Sequence, residues 1–351
     1  MLFPKAHELV IRNAAFAINP ADYIKQVKGN MVFPWVKYPF VLGSDVAGEV
    51  VEVGSAVTRF RAGDRVVAYA ASTDPGRNSN AKGGFQLYSL VCDNMAAPVP
   101  EGMALESAAV LPMGVTTASC ALFGKDFLKL RRPGVAGAGA GPDKKTGSKE
   151  VVLVWGGSTS VGCNAIQLAV AAGYDVVTTC SPRNFNLVKS LGATQAFDYR
   201  SPTVVADIVA ATAKRQVAGA LAIGSLSGSK CMDVVARSQG KKFVAMVSYP
   251  VPDDPDAGTL TSAFCFVRGT ASLMLKSQLT GVKQKFVFGS AIIHDDVGKA
   301  LWEDFLPAAL QEGRYVAAPE PQVVGHDLEC LQANMDLLKR GVSAKKFVVT
   351  L

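Results

Sequence analysis

Residues Glu150–Trp155 (EVVLVW) read as a strand that is apolar without a break from Val151, and Gly156-Gly157-Ser158-Thr159-Ser160-Val161-Gly162 follows at once and leads into a helical pattern over Cys163–Ala172. A strand that is apolar on both faces belongs in the middle of a parallel sheet covered by helices. The small residues of the turn let a backbone approach a pyrophosphate closely. The start of the helix adds free N–H groups and the positive end of a dipole. Gly162 permits close helix–strand packing. Gly156, Gly157, Ser158, Thr159, Ser160 and Val161 are therefore candidate dinucleotide-binding residues; the alternative is an ordinary tight turn.

The surrounding pattern fits that strand. Asp175–Thr179, Gln195–Asp198, Val217–Ile223 and Lys242–Val247 read as strands, and Asn184–Leu191 and Val204–Ala213 as helices. Strands alternating with helices predict a doubly wound α/β domain over residues 150–290. Earlier in the chain, Glu8–Arg12, Val46–Val53, Arg65–Tyr69 and Phe85–Val91 alternate with turn signals and predict a β-rich, partly open barrel. Leu105–Cys120 reads as a helix broken at Pro112. Gly134–Ser148 has no hydrophobic periodicity and reads as a flexible loop within a linker region 121–149. Asp295–Gln311 and Leu328–Arg340 read as helices. Lys346–Leu351 reads as a final strand that pairs back into the barrel, so 1–120 and 291–351 form one domain.

Composition narrows the class. With 351 residues, 49% hydrophobic and 19% charged, the chain builds packed cores and is not disordered. Its 33 Gly and 18 Pro show no collagen period. No apolar run reaches the about 18 residues of a membrane span, and Met1–Lys5 does not open a signal peptide. A soluble cytoplasmic protein is expected. The seven cysteines lack zinc spacing, and reduced thiols are the default reading. The three histidines are too few for a histidine-based mechanism. The formal charge of +7 is dispersed, without a basic, aromatic-lined groove for nucleic acid, and an anionic cofactor or acyl carrier would benefit from it.

The second strand of the α/β domain ends Thr179-Cys180-Ser181-Pro182-Arg183-Asn184, with no acid to grip a ribose hydroxyl. Ser181 and Arg183 suit a 2′-phosphate instead, which predicts NADPH. Asn184 and Tyr199, placed at the same end, and Met246 and Val247, at the end of a later strand, are further candidate cofactor-binding residues.

With these residues in hand, the chain resembles the medium-chain dehydrogenase/reductase superfamily over almost its whole length. The landmarks are Ala17–Asp22, Pro39–Gly48, Gly54–Thr58, Gly63–Val66, Gly83–Phe85 and Leu111–Ala118. Relative to the family, the chain begins about a strand and a loop late. The resemblance implies a GroES-like β-rich catalytic domain and a Rossmann nucleotide-binding domain. Zinc-dependent members carry a Cys near the Asn19 segment and His-Glu after the glycine matched by Gly43. Here no Cys is present and Ser44-Asp45 replace His-Glu, which implies the zinc-independent, quinone-oxidoreductase-like branch. Gly156–Thr159, Cys180–Phe185, Gly192-Ala193 and Phe197–Arg200 look most like fungal trans-acting enoyl reductases of polyketide synthases. That group often has Asn-Pro-x-Asp-x-Lys, whereas Lys25 falls one place later.

The resemblance further implies that Asn19, Thr116 and Thr117 act beside the nicotinamide, and that Ala21, Asp22 and Lys346 lie near the cofactor. It places Phe286, Phe288 and Gly289 along an acyl cleft between barrel and nucleotide domain. The expected reaction is hydride transfer from NADPH to the β-carbon of an α,β-unsaturated acyl thioester, free or carrier-tethered, with a polyketide synthase as candidate partner. No metal, nucleic-acid or membrane role is expected, and the chain is expected to be a monomer or homodimer. Two alternatives stand beside it: NADPH-dependent quinone or enone reduction, and a silent nucleotide-binding interaction protein.

Overall fold

The computed structural model describes residues 3–31, 33–134, 149–250 and 257–351. The chain opens with β1 (Glu8–Ala17), α1 (Pro20–Lys28), β2 (Asp45–Val53), β3 (Arg65–Tyr69), β4 (Tyr88–Cys92), β5 (Ala96–Pro98), α2 (Leu105–Ala108) and α3 (Pro112–Phe123). An alternating stretch follows: β6 (Glu150–Trp155), α4 (Ser160–Ala171), β7 (Asp175–Cys180), α5 (Phe185–Ser190), β8 (Gln195–Asp198), α6 (Val204–Thr212), β9 (Gln216–Ala222), α7 (Ser227–Arg237), β10 (Phe243–Met246), α8 (Thr259–Thr280) and β11 (Lys283–Phe286). The chain ends with α9 (Asp296–Lys299), α10 (Leu306–Gln311), β12 (Glu320–His326), α11 (Leu331–Lys339) and β13 (Lys345–Thr350). It divides into two compact units, Met1–Thr116 with Ser290–Leu351, and Thr117–Gly289. Residues 135–148 of the glycine-rich loop lie outside the described residues.

The first unit is built on a seven-stranded sheet of order β12-β13-β1-β2-β3-β5, with β4 also paired to β1. β1 runs antiparallel to β2, β4 and β13, so the expected return of the final strand is met: Ala15 pairs with Thr350 and Ala17 with Val348. Leu9, Ile11, Phe16, Val46, Val50, Val66, Phe347 and Val349 are buried together as its core. Asn19 precedes α1 in an extended conformation, Pro20 occupies the first turn, and the Asp22 carboxylate accepts from the Asn19 N–H at 2.8 Å. That is a capping-box start, which satisfies an otherwise orphaned donor.

The second unit is a six-stranded sheet of order β11-β10-β9-β6-β7-β8, parallel throughout. Read from its first strand, this is the doubly wound dinucleotide-binding order. Val151, Leu153, Val177, Val217, Ala220 and Val244 supply the sheet's share of the core, closed by Ile208, Met232 and Val235 from the helices.

Two sequence expectations change. The strand expected over Phe85–Val91 is β4, which starts only at Tyr88. Ahead of it the chain folds around Gly43, with Phe85 N–H donating to Leu42 O and Gly84 N–H to Gly43 O. The single helix expected over Asp295–Gln311 becomes α9, a π-helical turn Ala300–Phe305 and α10. Pro307 lacks the N–H that would continue a regular ladder there. The stretch Leu105–Phe123 has the length and mean hydropathy of a membrane span, but Glu106 and Pro112 interrupt it and 78% of its most apolar window is buried inside the protein. The sequence pattern does not announce helices α1, α7 and α8 or strands β5, β11 and β12.

Candidate functional site

In the first unit four polar side chains converge in the interior. Asn19 is 3% exposed, Asp22 3%, Asp45 0% and Lys346 5%. α1 presents Asn19 and Asp22, β2 begins with Asp45, and β13 carries Lys346. Lys346 Nζ lies 2.8 Å from Asp45 Oδ2 and donates to Asn19 Oδ1. Asn19 Nδ2 donates to Asp45 Oδ2 at 2.8 Å. Both ends of the Asn19 amide are therefore engaged within the protein. Asp22 accepts from Asn19 N–H and from Gly43 N–H at 3.2 Å. Burial, and then the neighbouring Asp45 charge, push the Asp22 carboxyl up to about 7, against the pull of those N–H groups and of Lys346. Ala21 is half-buried beside them.

The other oxygen of Asp45 accepts from Met113 N–H, which ties the first turn of α3 to this network. Thr116 lies one helical turn beyond Met113. Its hydroxyl is buried and has no hydrogen-bond partner among the described residues. A buried hydroxyl without a partner is costly, and such groups cluster where a ligand completes them. Tyr69 is also buried here, with Ser44 as hydrogen-bond partner, and burial drives its hydroxyl strongly upward.

In the second unit the turn after β6 has the shape expected of a phosphate cradle. Gly156 has φ +88°, a conformation that favours glycine. A Cβ on Gly157 would run into the Thr178 hydroxyl, and one on Gly162 into the Gly156 carbonyl. Thr159 caps α4: it accepts from Gly162 N–H at 3.0 Å and donates to Gly156 O at 2.7 Å. The Ser160 hydroxyl is buried with no partner among the described residues. The leading N–H groups of α4, at Ser160 and Val161, have no intrahelical acceptor. Close backbone approach, an orphan hydroxyl and a helix N-terminus together fit a dinucleotide pyrophosphate. Asn184 Nδ2 donates to Ser158 Oγ at 3.2 Å, so these two steady the turn.

The β7–β8 register pairs Cys180 with Asp198, so Ser181–Arg183 and Tyr199 leave the sheet side by side. Arg183 is exposed and has no ion pair among the described residues. The Arg200 guanidinium stacks 5.1 Å from the Tyr199 ring. Lys230 of α7 donates to Tyr199 O at 3.2 Å and lies 5.5 Å over Trp155. Sequence reasoning missed Lys230, because a lysine in a helix remote from the motif gives no spacing signal.

Farther along the same sheet, Met246 is buried against Gly228, where a Cβ would strike its side chain. Val247 N–H donates to Ala222 O at 2.9 Å. Phe286 stacks on Tyr249 at 3.6 Å, Phe288 O accepts from Cys120 Sγ at 3.5 Å, and a Cβ on Gly289 would lie 2.7 Å from the Thr117 hydroxyl. The structure thus sorts the candidates into two groups. Asn19, Ala21, Asp22, Thr116 and Lys346 lie in the first unit, and the remainder in the second. Asp45, known from the sequence only as the residue standing in place of a metal ligand, is the hub of the first group.

A doubly wound dinucleotide-type unit joined to a GroES-like, mostly antiparallel unit is the architecture of an oxidoreductase. Residues 5–101 match the alcohol dehydrogenase GroES-like domain. The chain is 49% identical to the dehydrogenase pigH of Monascus ruber, over 99% of this chain and 93% of that protein. It is 37% identical to the trans-enoyl reductase himH of Aspergillus japonicus, over 97% and 89%. A mycobacterial structure complexed with NADPH shares the fold at TM-score 0.68 and 20% identity, covering 100% of this chain and 93% of that one. The chain belongs to the medium-chain dehydrogenase/reductase family and resembles its enoyl reductases.

Proposed function

We propose that the protein uses NADPH to reduce the C=C bond of an α,β-unsaturated acyl thioester, as a trans-acting enoyl reductase alongside a polyketide synthase. The observation that carries this reading is the Asn19–Asp45–Lys346 network. Where the zinc-dependent branch has His-Glu, this chain has Ser44 and the internally paired Asp45; near the place of the thiolate it has the Asn19 amide, and Lys346 closes the network. Thiolate and imidazole, the donors that favour zinc, are missing from that set. A carbonyl or alcohol substrate would therefore lack a Lewis acid. A conjugated thioester needs less help, because its own carbonyl oxygen takes up the negative charge.

NADPH supplies the hydride that reaches the β-carbon. The chain's residues bind, orient and stabilise. Gly156–Val161 hold the pyrophosphate, and Ser181, Arg183 and Tyr199 meet the 2′-phosphate. Asn19 and Lys346 act as positioning residues, since each is engaged with Asp45 and with the other. The Thr116 hydroxyl, buried without a partner among the described residues and one helical turn from the Met113–Asp45 contact, donates to the developing enolate oxygen. The α-carbon then takes a proton from water. Phe286, Phe288 and Gly289 line the acyl side, with Thr117 packed against Gly289.

The relatives support the substrate class, since himH is named a trans-enoyl reductase. The test is NADPH oxidation by the purified chain against enoyl thioesters, quinones and aldehydes. Turnover of enoyl thioesters is expected. Turnover of aldehydes alone overturns the proposal, and quinone turnover alone replaces it with quinone reduction.

A further inference from the structure

One loop stands out in the first unit. Between Asp22 and Asp45 the sequence holds three lysines, Lys25, Lys28 and Lys37, and no acidic residue. Lys25 is 1% exposed, buried on α1 one turn beyond Asp22. Its ammonium donates to Gly29 O and Phe33 O, each at 3.1 Å, and to Asn30 Oδ1 at 3.4 Å. A buried ammonium on a helix is costly. Here it clasps the loop that leaves the helix.

That loop is strained and apolar. Phe33 has φ +58°, a conformation an L residue with a bulky side chain rarely takes. Strain of this kind persists where the surroundings enforce it, and it concentrates at ligand clamps. The Phe33 and Trp35 rings lie 5.8 Å apart, and Trp35 Nε1 donates to Thr73 O at 3.0 Å. The Tyr38 ring lies 5.1 Å from Lys25 Nζ. Yet Met31 is 46% exposed, Trp35 38% and Tyr38 58%. Trp35 and Tyr38 are thus held in place while still facing solvent, with the exposed Lys37 between them in the chain. The loop is continuous with the Asn19–Asp22 site through α1 and returns to it at Gly43, whose N–H donates to Asp22.

We propose that Met31 and residues 33–38 form the rim that recognises the apolar chain of the acyl thioester and sets its preferred length, with Lys25 as the positioning residue. The inference rests on the enoyl-thioester reading for the identity of its ligand. Aromatic and thioether side chains suit an alkyl chain. Each further methylene buried against Trp35 adds affinity, so a long chain binds more tightly than a short one.

The test uses saturated thioesters, so that binding is read without turnover. Decanoyl-coenzyme A and butyryl-coenzyme A are titrated calorimetrically into the full chain. The decanoyl compound is expected to bind at least tenfold more tightly. Trp35→Ala, a surface change, and Lys25→Met should both bring that ratio close to one while butyryl and NADPH affinities stay the same. Equal affinity for the two thioesters, no binding of either, or a ratio unchanged in Trp35→Ala overturns the proposal. Enoyl turnover without chain-length preference sinks this inference and leaves the enzyme activity standing. Quinone-only turnover with the length preference retained does the reverse.

Discussion

Lys346 and Asp45 form an ion pair of 2.8 Å whose side chains are 5% and 0% exposed, and Asn19 bridges it from the start of α1. Charges this deep are held by geometry, because desolvation offsets most of their attraction. Removing one partner leaves the other uncompensated. Lys346→Met is therefore expected to destabilise the chain by about 3–5 kcal/mol. The double change Lys346→Met with Asp45→Asn should recover part of that loss. Urea denaturation of the three proteins measures both. A single mutant as stable as the parent would show that the pair contributes nothing.

The network explains how much of the site was legible. The Gly156–Gly162 turn is readable because its parts are contiguous, and each small residue has a local reason that the sequence states. Asn19 and Lys346 were each marked by family landmarks, but their junction through Asp45 joins three distant strands and helices. Only the sheet register brings β2 and β13 to either side of β1. α8 was missed for the opposite reason. Phe264, Val267, Met274, Leu275 and Leu279 are exposed apolar residues on a long helix, so the polar-out pattern that announces a surface helix is absent.

Asp22 makes a pH prediction. Its folded carboxyl titrates at about 7, above the ordinary value of 3.8. Between those values the folded chain holds a proton that the unfolded chain has lost. Stability must then fall as pH rises from about 4 to about 7, by on the order of 4 kcal/mol from this group, and stay level above. Asp22→Asn should flatten that slope, although it surrenders one of the two accepted N–H bonds. Denaturation midpoints taken across this pH range, with and without the substitution, provide the check. A parent curve that rises over the window would refute the assignment.

Arg183 and Tyr199 emerge side by side from β7 and β8 with no acid between the strand end and the ribose position. A charge-assisted bond to the 2′-phosphate contributes about 1.5–3 kcal/mol, or roughly ten- to a hundredfold in affinity. Arg183→Ala should weaken NADPH by that factor and leave NADH nearly unchanged. Fluorescence titration of both nucleotides decides it. Equal binding of the two by the parent protein would remove the basis for a phosphate-selective site.

Thr116 separates structure from catalysis most sharply. Its hydroxyl is buried and unpartnered among the described residues, so in the free protein it is a cost. Thr116→Val keeps the shape and removes that polar atom. The variant should be as stable as the parent or more stable, by up to about 1 kcal/mol. A donor aimed at charge that develops only in the transition state behaves differently under turnover. Its loss should lower kcat on an enoyl thioester on the order of a hundredfold, with NADPH affinity unchanged and KM little altered. Thr116→Ser, which restores the hydroxyl, should recover most of the rate. Gained stability together with lost kcat is the signature of a group held for the reaction. If Thr116→Val lowers stability and leaves kcat intact, the hydroxyl serves the fold, and the enolate donor must be sought elsewhere in the site.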